Sequence, residues 1–288
     1  MSRLEWYCQA QISQLFELLG AKAGDEYAFQ DNGSDILAVA HCDVAEKVVH
    51  EHHFAIAQLT YDALVYSTAL DDRLGVFTIL EVLPMLGINV DVLLTKDEEI
   101  GESTAKKFVT DKNYNWIVEF DRRGTDVVTY RYHEKVWKDV LKDYFRAVGY
   151  GSFSDICELE HLECCGVNVG VGYHDEHTSF CYMSVVEYRE QLCRFVAFHE
   201  DCKGCLYPHE VVKHTQPTVT KWPWEGRNGW RGQYYAFREV EDIEDTVDMF
   251  RCPSCSQTMR EDEAVHLFGC QCCPMCGTTV VKEVNLKK

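Results

Sequence analysis

Short apolar runs and helical stretches alternate along roughly the first two-thirds of the chain. Ile36–Ala40 (ILAVA), Val90–Leu94 (VDVLL), Trp116–Phe120 (WIVEF) and Val167–Val171 (VNVGV) read as buried strands. Val127–Tyr132 reads as a hairpin partner of the Trp116–Phe120 strand. Leu74–Leu83 is apolar nearly all round, which predicts a buried helix that stops at Pro84. Val136, Val140, Leu141, Tyr144 and Val148 recur at helical spacing and predict an amphipathic helix. Ser184 with Glu187 has the spacing of a capping box and opens a helix expected to run through Phe198. At the start, Ile12, Leu15, Phe16 and Leu19 mark one further amphipathic helix. Strand and helix in alternation predict an α/β three-layer sandwich with a largely parallel central sheet.

After Cys205 this rhythm is lost. Residues 206–248 hold Pro208, Pro217 and Pro223, three tryptophans and an acidic run over Glu239–Asp245, which reads as a connector. Residues 249–288 are cysteine-rich and read as a small separate module. The expected organisation is therefore a catalytic domain over 1–205, a connector over 206–248 and the module over 249–288. A length of 288 residues suits one substantial domain with a small appendage.

The formal net charge of −19 disfavours nucleic acid and anionic membrane as the main partner, because like charges repel. No segment reaches the roughly 20 apolar residues that cross a bilayer. The opening MSRLEWYCQAQISQLFELLG reads as a helix rather than an export signal, so a cytoplasmic location is expected. Of the 15 cysteines, seven are scattered before residue 200 in apolar surroundings, where a thiol acts as a small buried hydrophobe. Six of the other eight fall between 252 and 276, and that crowding points to metal.

The strongest chemical signal is where histidines and acids fall relative to the strands. His41 and Asp43 follow ILAVA, Asp71 opens a helix, Glu98 and Glu99 follow VDVLLTKD, Asp121 follows WIVEF, and His177 comes soon after VNVGV. Ligands in open parallel sheets bind beyond the carboxyl ends of the strands, so all of these residues are expected at one edge. Imidazole and carboxylate suit zinc or a similar first-row ion, and a bridging carboxylate can hold two ions roughly 3.5–4 Å apart. Two histidines and three carboxylates give each ion one His, one terminal carboxylate and a share of one bridging Asp, with a position left for water. Glu98 is adjacent to a ligand and suits proton transfer, and Asp43 suits the carboxylate that orients a ligand imidazole.

With these motifs, the chain resembles the dizinc exopeptidase superfamily, which includes aminopeptidases and related carboxypeptidases and amidohydrolases. The matching pieces are His41-Cys42-Asp43, Ala69-Leu70-Asp71-Asp72-Arg73-Leu74-Gly75, Asp97-Glu98-Glu99-Ile100-Gly101, Phe120-Asp121, and Gly172-Tyr173-His174-Asp175-Glu176-His177-Thr178. They cover roughly residues 35–200. The resemblance implies that Asp71 bridges two metals, that Glu98 is the general base and that Glu99 binds metal. His174 and His177 both lie in the last loop, and the His-Thr context of the relatives favours His177. The intervals between Asp121 and His177, and between His41 and Asp71, are too short for the inserted domains of many relatives.

Cys252-Pro-Ser-Cys255 and Cys273-Pro-Met-Cys276 are two Cys-x-x-Cys knuckles separated by 17 residues. That spacing matches a structural zinc site, in which four thiolates leave no open position. Cys270 and Cys272 offer a second register, and Cys202, Cys205 and His209 are a weaker candidate set. The expectation is a metal-dependent amide-bond hydrolase, aminopeptidase-like, with two divalent ions (zinc, or cobalt or manganese) in its site and one structural zinc in the module. Its substrate would be a peptide or an N-acyl amino acid. The alternatives are an N-acyl-amino-acid deacylase or carboxypeptidase of the same superfamily, or a non-catalytic protein that engages a protein partner through the ribbon.

Overall fold

A computed structural model describes residues 3–22, 24–45 and 53–211, together with the backbone of four short strands after residue 248. The chain divides into two compact units, Met1–Gln216 and Pro217–Lys288. The first unit begins with two short helices, Arg3–Gln9 (α1) and Ile12–Leu18 (α2), not one. The Arg73 guanidinium donates to the carbonyls of Tyr7 (3.0 Å) and Ala10 (2.8 Å) at the end of α1. Those end carbonyls thus have a partner outside the helix, and Gln11 turns extended before α2 starts.

A seven-stranded sheet follows. Its strands in chain order are Ala28–Gln30 (β1), Ile36–His41 (β2), Asp91–Thr95 (β5), Trp116–Arg122 (β6), Val127–Val128 (β7), Val148–Gly149 (β8) and Gly166–Gly170 (β9). They lie side by side as β1-β5-β2-β6-β9-β7-β8. The central strands β5, β2, β6 and β9 are all parallel, while β1 and β7 run antiparallel to their neighbours β5 and β9. All six residues of β2 are buried, which is why this strand reads as a continuous apolar run.

The expected hairpin between Trp116–Phe120 and Val127–Tyr132 is not formed. β9 lies between β6 and β7, and β7 pairs with β9 instead. The chain leaving β6 crosses the end of β9, where a Cβ on Gly170 would stand 2.6 Å from the Gly124 carbonyl oxygen. Only glycine lets the two backbones come that close.

A second, antiparallel sheet joins Phe54–Gln58 (β3), Ala63–Ser67 (β4), Tyr173–His174 (β10) and Tyr182–Ser184 (β11), in the order β10-β11-β4-β3. Between β4 and β5, Leu70–Phe77 (α3), a π-type stretch over Thr78–Val82 and Leu83–Met85 (α4) follow without a break. Pro84 does not end this helix. The wider turn carries the Leu83 amide to Thr78 O and leaves Pro84 in the first turn of α4, where its missing N–H costs nothing. Lys135–Tyr144 (α5) ends before Val148, which belongs to β8 rather than to the helix. Val185–Cys202 (α6) is capped by Ser184 Oγ accepting from the Glu187 amide and runs past Phe198.

The two faces of the main sheet are covered differently. Trp116 and Phe120 point to α6, where Phe195 and Phe198 stack on them. The π-type stretch after α3 meets α6, with Thr78 Oγ1 2.8 Å from Tyr188 OH. Glu119, alternating with these residues, points to the other face. That face is closed by short 3₁₀ turns, among them Asp155–Glu158, which packs on β2, β6 and β9. The outer layers are therefore unequal, one of long helices and one of short turns.

Residues 206–211 also belong to this unit, beyond the expected boundary at 205. Tyr207 and His209 donate backbone hydrogen bonds to Asn115 O and Glu163 O, beside the amino ends of β6 and β9. In the second unit, Met249–Arg251 (β12) pairs antiparallel with Thr258–Arg260 (β13), and Val265–Leu267 (β14) with Cys270–Cys272 (β15). Cys252, Cys255, Cys273 and Cys276 lie outside the described residues. No helix among the described residues is long and apolar enough to cross a membrane.

Candidate metal centre

Strand register brings the candidate ligands together. β2 and β6 pair with Val39 opposite Glu119, and two residues further on the same register sets His41 beside Asp121. His41 Nε2 lies 3.6 Å from Asp121 Oδ1. In the small sheet, β4 and β11 pair with Tyr66 opposite Tyr182. The chain segments leaving these two strands, the start of α3 and the turn before β11, carry Asp71 and His177 to one place, with His177 Nε2 3.1 Å from Asp71 Oδ2. The pairing of His41 with Thr95 at the ends of β2 and β5 brings the Glu98–Glu99 turn over both groups.

Two sets of ligand atoms result, His41/Asp71/Asp121 and Asp71/Glu99/His177, and within each set the atoms all lie within 4.8 Å of one another. Asp71 belongs to both. Its Oδ1 is 3.2 Å from His41 Nε2, while its Oδ2 faces His177. Glu99 Oε2 completes the second set at 3.0 Å from His177 Nε2. Glu98 Oε2 lies 3.9 Å from His41 Nε2, close to the first set but outside it. Asp43 is 3.4 Å from His41 Nδ1 through Oδ1, and its Oδ2 accepts the Glu99 amide at 3.1 Å. One carboxylate thus braces the backs of both sets.

The two histidines of the last loop are placed differently. His174 is turned away, its Nε2 2.6 Å from Glu187 Oε2 and its ring stacked on Tyr182. His177 reaches the cluster from a left-handed backbone conformation with φ of 58°. Such a conformation is uncommon for a side chain of this size and tends to occur at functional sites.

Several supporting residues were not among the candidate ligands. Tyr173 OH donates to Asp121 O (2.9 Å) and lies 3.2 Å from Asp121 Oδ1. Asn168 Oδ1 on the neighbouring strand accepts the Asp121 amide at 3.0 Å. Glu119, Ser154 and Asn168 form a buried hydrogen-bonded group beneath Asp121. Glu119 sits inside an apolar-looking strand and was read only as part of it. A buried acid in such a run is the one signal that could have singled it out.

The electrostatics call for cations. Burial raises Asp121 and Asp72 well above the ordinary carboxylate range, with neighbouring carboxylates adding to the effect. Burial works the same way on Asp71, but hydrogen bonds from His177 and His41 outweigh it and hold Asp71 below its usual value. Burial pushes Glu98 up to about 8, with His41 opposing and Asp155, Asp71 and Glu99 reinforcing. Glu99 Oε1 and Asp72 Oδ2 are buried without a hydrogen-bond partner. A buried excess of carboxylates with orphaned oxygens is costly unless positive charge compensates it. The donor set of two imidazoles and three carboxylates, shared through one Asp, fits two divalent first-row ions.

Cys202, Cys205 and His209 do not form a further set. His209 is clasped between Glu134 (Nδ1 to Oε1, 2.6 Å) and Glu160 (Nε2 to Oε1, 3.2 Å), Cys202 Sγ accepts from Tyr207 OH, and Cys205 is exposed.

No protein-family model matches the sequence, and no curated protein matches it either. Solved structures do match in fold. PhTET1-12s, a dodecamer in its asymmetric unit, superposes with a TM-score of 0.50 at 11% identity, over 68% of this chain and 98% of that one. The likeness is one of fold. A TET aminopeptidase from the marine sediment archaeon Thaumarchaeota archaeon SCGC AB-539-E09 gives 0.49 at 12% identity, over 70% of this chain and 95% of that one. Aminopeptidase PepT from Bacillus cereus ATCC 10987 gives 0.46 at 13%, over 66% and 91% respectively.

Proposed function

We propose that this protein is a dinuclear-metal hydrolase of amide bonds, acting as an aminopeptidase-like exopeptidase on peptides. The observation that carries this reading is Asp71, whose two oxygens face two separate ligand sets. His41 and Asp121 would hold one divalent ion, Glu99 and His177 the other, and Asp71 would bridge them. Bound there, the ions supply water activation and stabilisation of the oxyanion.

The chain's own residues do the rest. Glu98 takes the proton of the attacking water and returns it to the leaving amine, so that a neutral amine departs. Nearby cations would favour the ionised form of Glu98, which is the form a base needs. Asp43 orients the His41 ring through Nδ1 and fixes the Glu99 backbone. A non-catalytic scaffold would need neither a base beside the ligands nor two sets sharing one carboxylate.

In the second unit, Cys252, Cys255, Cys273 and Cys276 are assigned one structural zinc, with residues 206–248 mainly as connector. Their spacing supports this, as does the position of Cys252 and Cys255 in the sequence between the paired strands β12 and β13.

The test is a metal assay joined to a substrate screen. The full chain is expected to bind three ions, two of them retained when Cys252 and Cys255 are both changed to Ser. Hydrolysis of aminoacyl substrates above N-acyl amino acids would support the aminopeptidase reading. The reverse preference would point to a deacylase, and binding of only one ion per chain would refute the dinuclear centre.

A further inference from the structure

Glu98 and Glu99 stand on a short excursion of the chain, and both ends of that excursion lead to one buried side chain. β5 ends at Thr95, the turn Glu98–Ile100 follows, and a second turn begins at Thr104. Backbone and side chain zip the ends together. The Thr104 amide donates to Lys96 O at 3.0 Å, the Lys96 amide donates to Thr104 Oγ1 at 3.0 Å, and the Glu102 amide donates to Asp97 O at 3.0 Å. Asp155 lies beneath, fully buried. Its Oδ2 accepts from Thr95 Oγ1 and its Oδ1 from Ser103 Oγ. Ser103 Oγ in turn accepts the Ala105 amide at 3.0 Å, so the same hydroxyl caps the next turn. The preceding residue, Ser154, donates to Glu119 on β6 and lies 3.3 Å from Asn168 Nδ2 on β9. One dipeptide thus ties the end of β5 to the middles of β6 and β9.

We propose that Asp155 is a positioning residue, a clasp whose two carboxylate oxygens hold both ends of the Glu98–Glu99 loop at the height the metal centre requires. It touches neither substrate nor ligand atoms and acts through Thr95 and Ser103. The consequence for metal rests on the dinuclear reading above; the clasp itself does not. Both ends must be held because the loop bears a ligand for one ion set and the base beside the other. Releasing one end would displace Glu98 and Glu99 together while leaving His41 and Asp121 on the sheet and Asp71 at the start of α3.

The test uses the full chain with Asp155→Asn, Thr95→Val and Ser103→Ala. Asn keeps the size of the side chain but loses one acceptor. Cobalt titration, read by the visible bands of oxygen- and nitrogen-ligated ion apart from thiolate bands, should show one equivalent weakened about 10- to 100-fold and the other unchanged. With cobalt saturating, kcat should fall at nearly constant KM. Asp155→Asn combined with Ser103→Ala should cost less than the sum of the two single changes, because both act on one clasp. Amide hydrogen exchange over residues 97–102 should quicken about tenfold while the rest of the sheet keeps its protection. A merely structural role would loosen the whole unit and would not single out one ion. A folded Asp155→Asn chain with parental cobalt binding and parental exchange would overturn the proposal. If that variant does not fold, parental behaviour of both Thr95→Val and Ser103→Ala would overturn it equally. A parent chain that binds fewer than two cobalt ions outside the cysteines would refute the dinuclear reading, and exchange over 97–102 would still decide the clasp.

Discussion

The two halves of the candidate metal centre are built from different materials. His41 and Asp121 stand at the ends of adjacent parallel strands, with side chains 0% and 9% exposed. His177 stands in a loop, with a left-handed backbone and a side chain 46% exposed. Glu99, its partner, sits in a turn held by Asp43 and by the loop ends. The first half is positioned by sheet register and inherits the rigidity of the core. The second is positioned by loops, and its histidine is open to solvent while Glu99 is buried. The contrast teaches that a symmetric ligand list does not make a symmetric site.

Changes that break the comparison outright should have the largest effect. Asp71→Asn removes the shared ligand, so both ions should be weakened and activity should fall by more than about 10⁴-fold, beyond what loss of a base alone costs. Metal content after dialysis and turnover at saturating zinc would check it.

His177→Ala should abolish one ion and most activity while leaving the His41 half loaded, read as a drop of one metal equivalent with an unchanged melting curve. Loss of both ions would show that the halves are not independent. Glu98→Gln should keep both ions and substrate affinity and lose roughly 10²–10⁴-fold in kcat. Near-parental turnover at full metal occupancy would assign the base to another group.

Asp43→Asn touches both halves from behind, and about 10- to 100-fold weaker metal binding is expected, shared between the two equivalents. Competition with a chromogenic chelator measures it. The smallest effect is expected from His174→Ala, which should keep both ions because that ring faces Glu187. Loss of an ion there would exchange the roles of His174 and His177.

Much of the chemistry was legible in the sequence, for a definite reason. Ligands of a parallel sheet follow directly on strands, and strands buried on both faces are visible as short apolar runs. His41 after ILAVA and Asp121 after WIVEF were found in that way. What escaped were groups with no such marker. Glu119 lies within a strand, and Asp155 and Tyr173 act through partners far away in sequence. The small sheet β10-β11-β4-β3 was missed as a unit because its strands are short and come from distant parts of the chain. The expected hairpin after β6 failed because adjacency in sequence favours pairing, and only the close crossing at Gly170 revealed that β9 takes the place.

By itself, then, the sequence determined which residues were candidate ligands, because ligand type and position after a strand are local properties. Only the tertiary structure decided how they are shared. His41 and Asp121 meet because β2 pairs with β6, and Asp71 turns one oxygen to each histidine because the start of α3 and the loop before β11 converge there, which are long-range relations that no local pattern encodes.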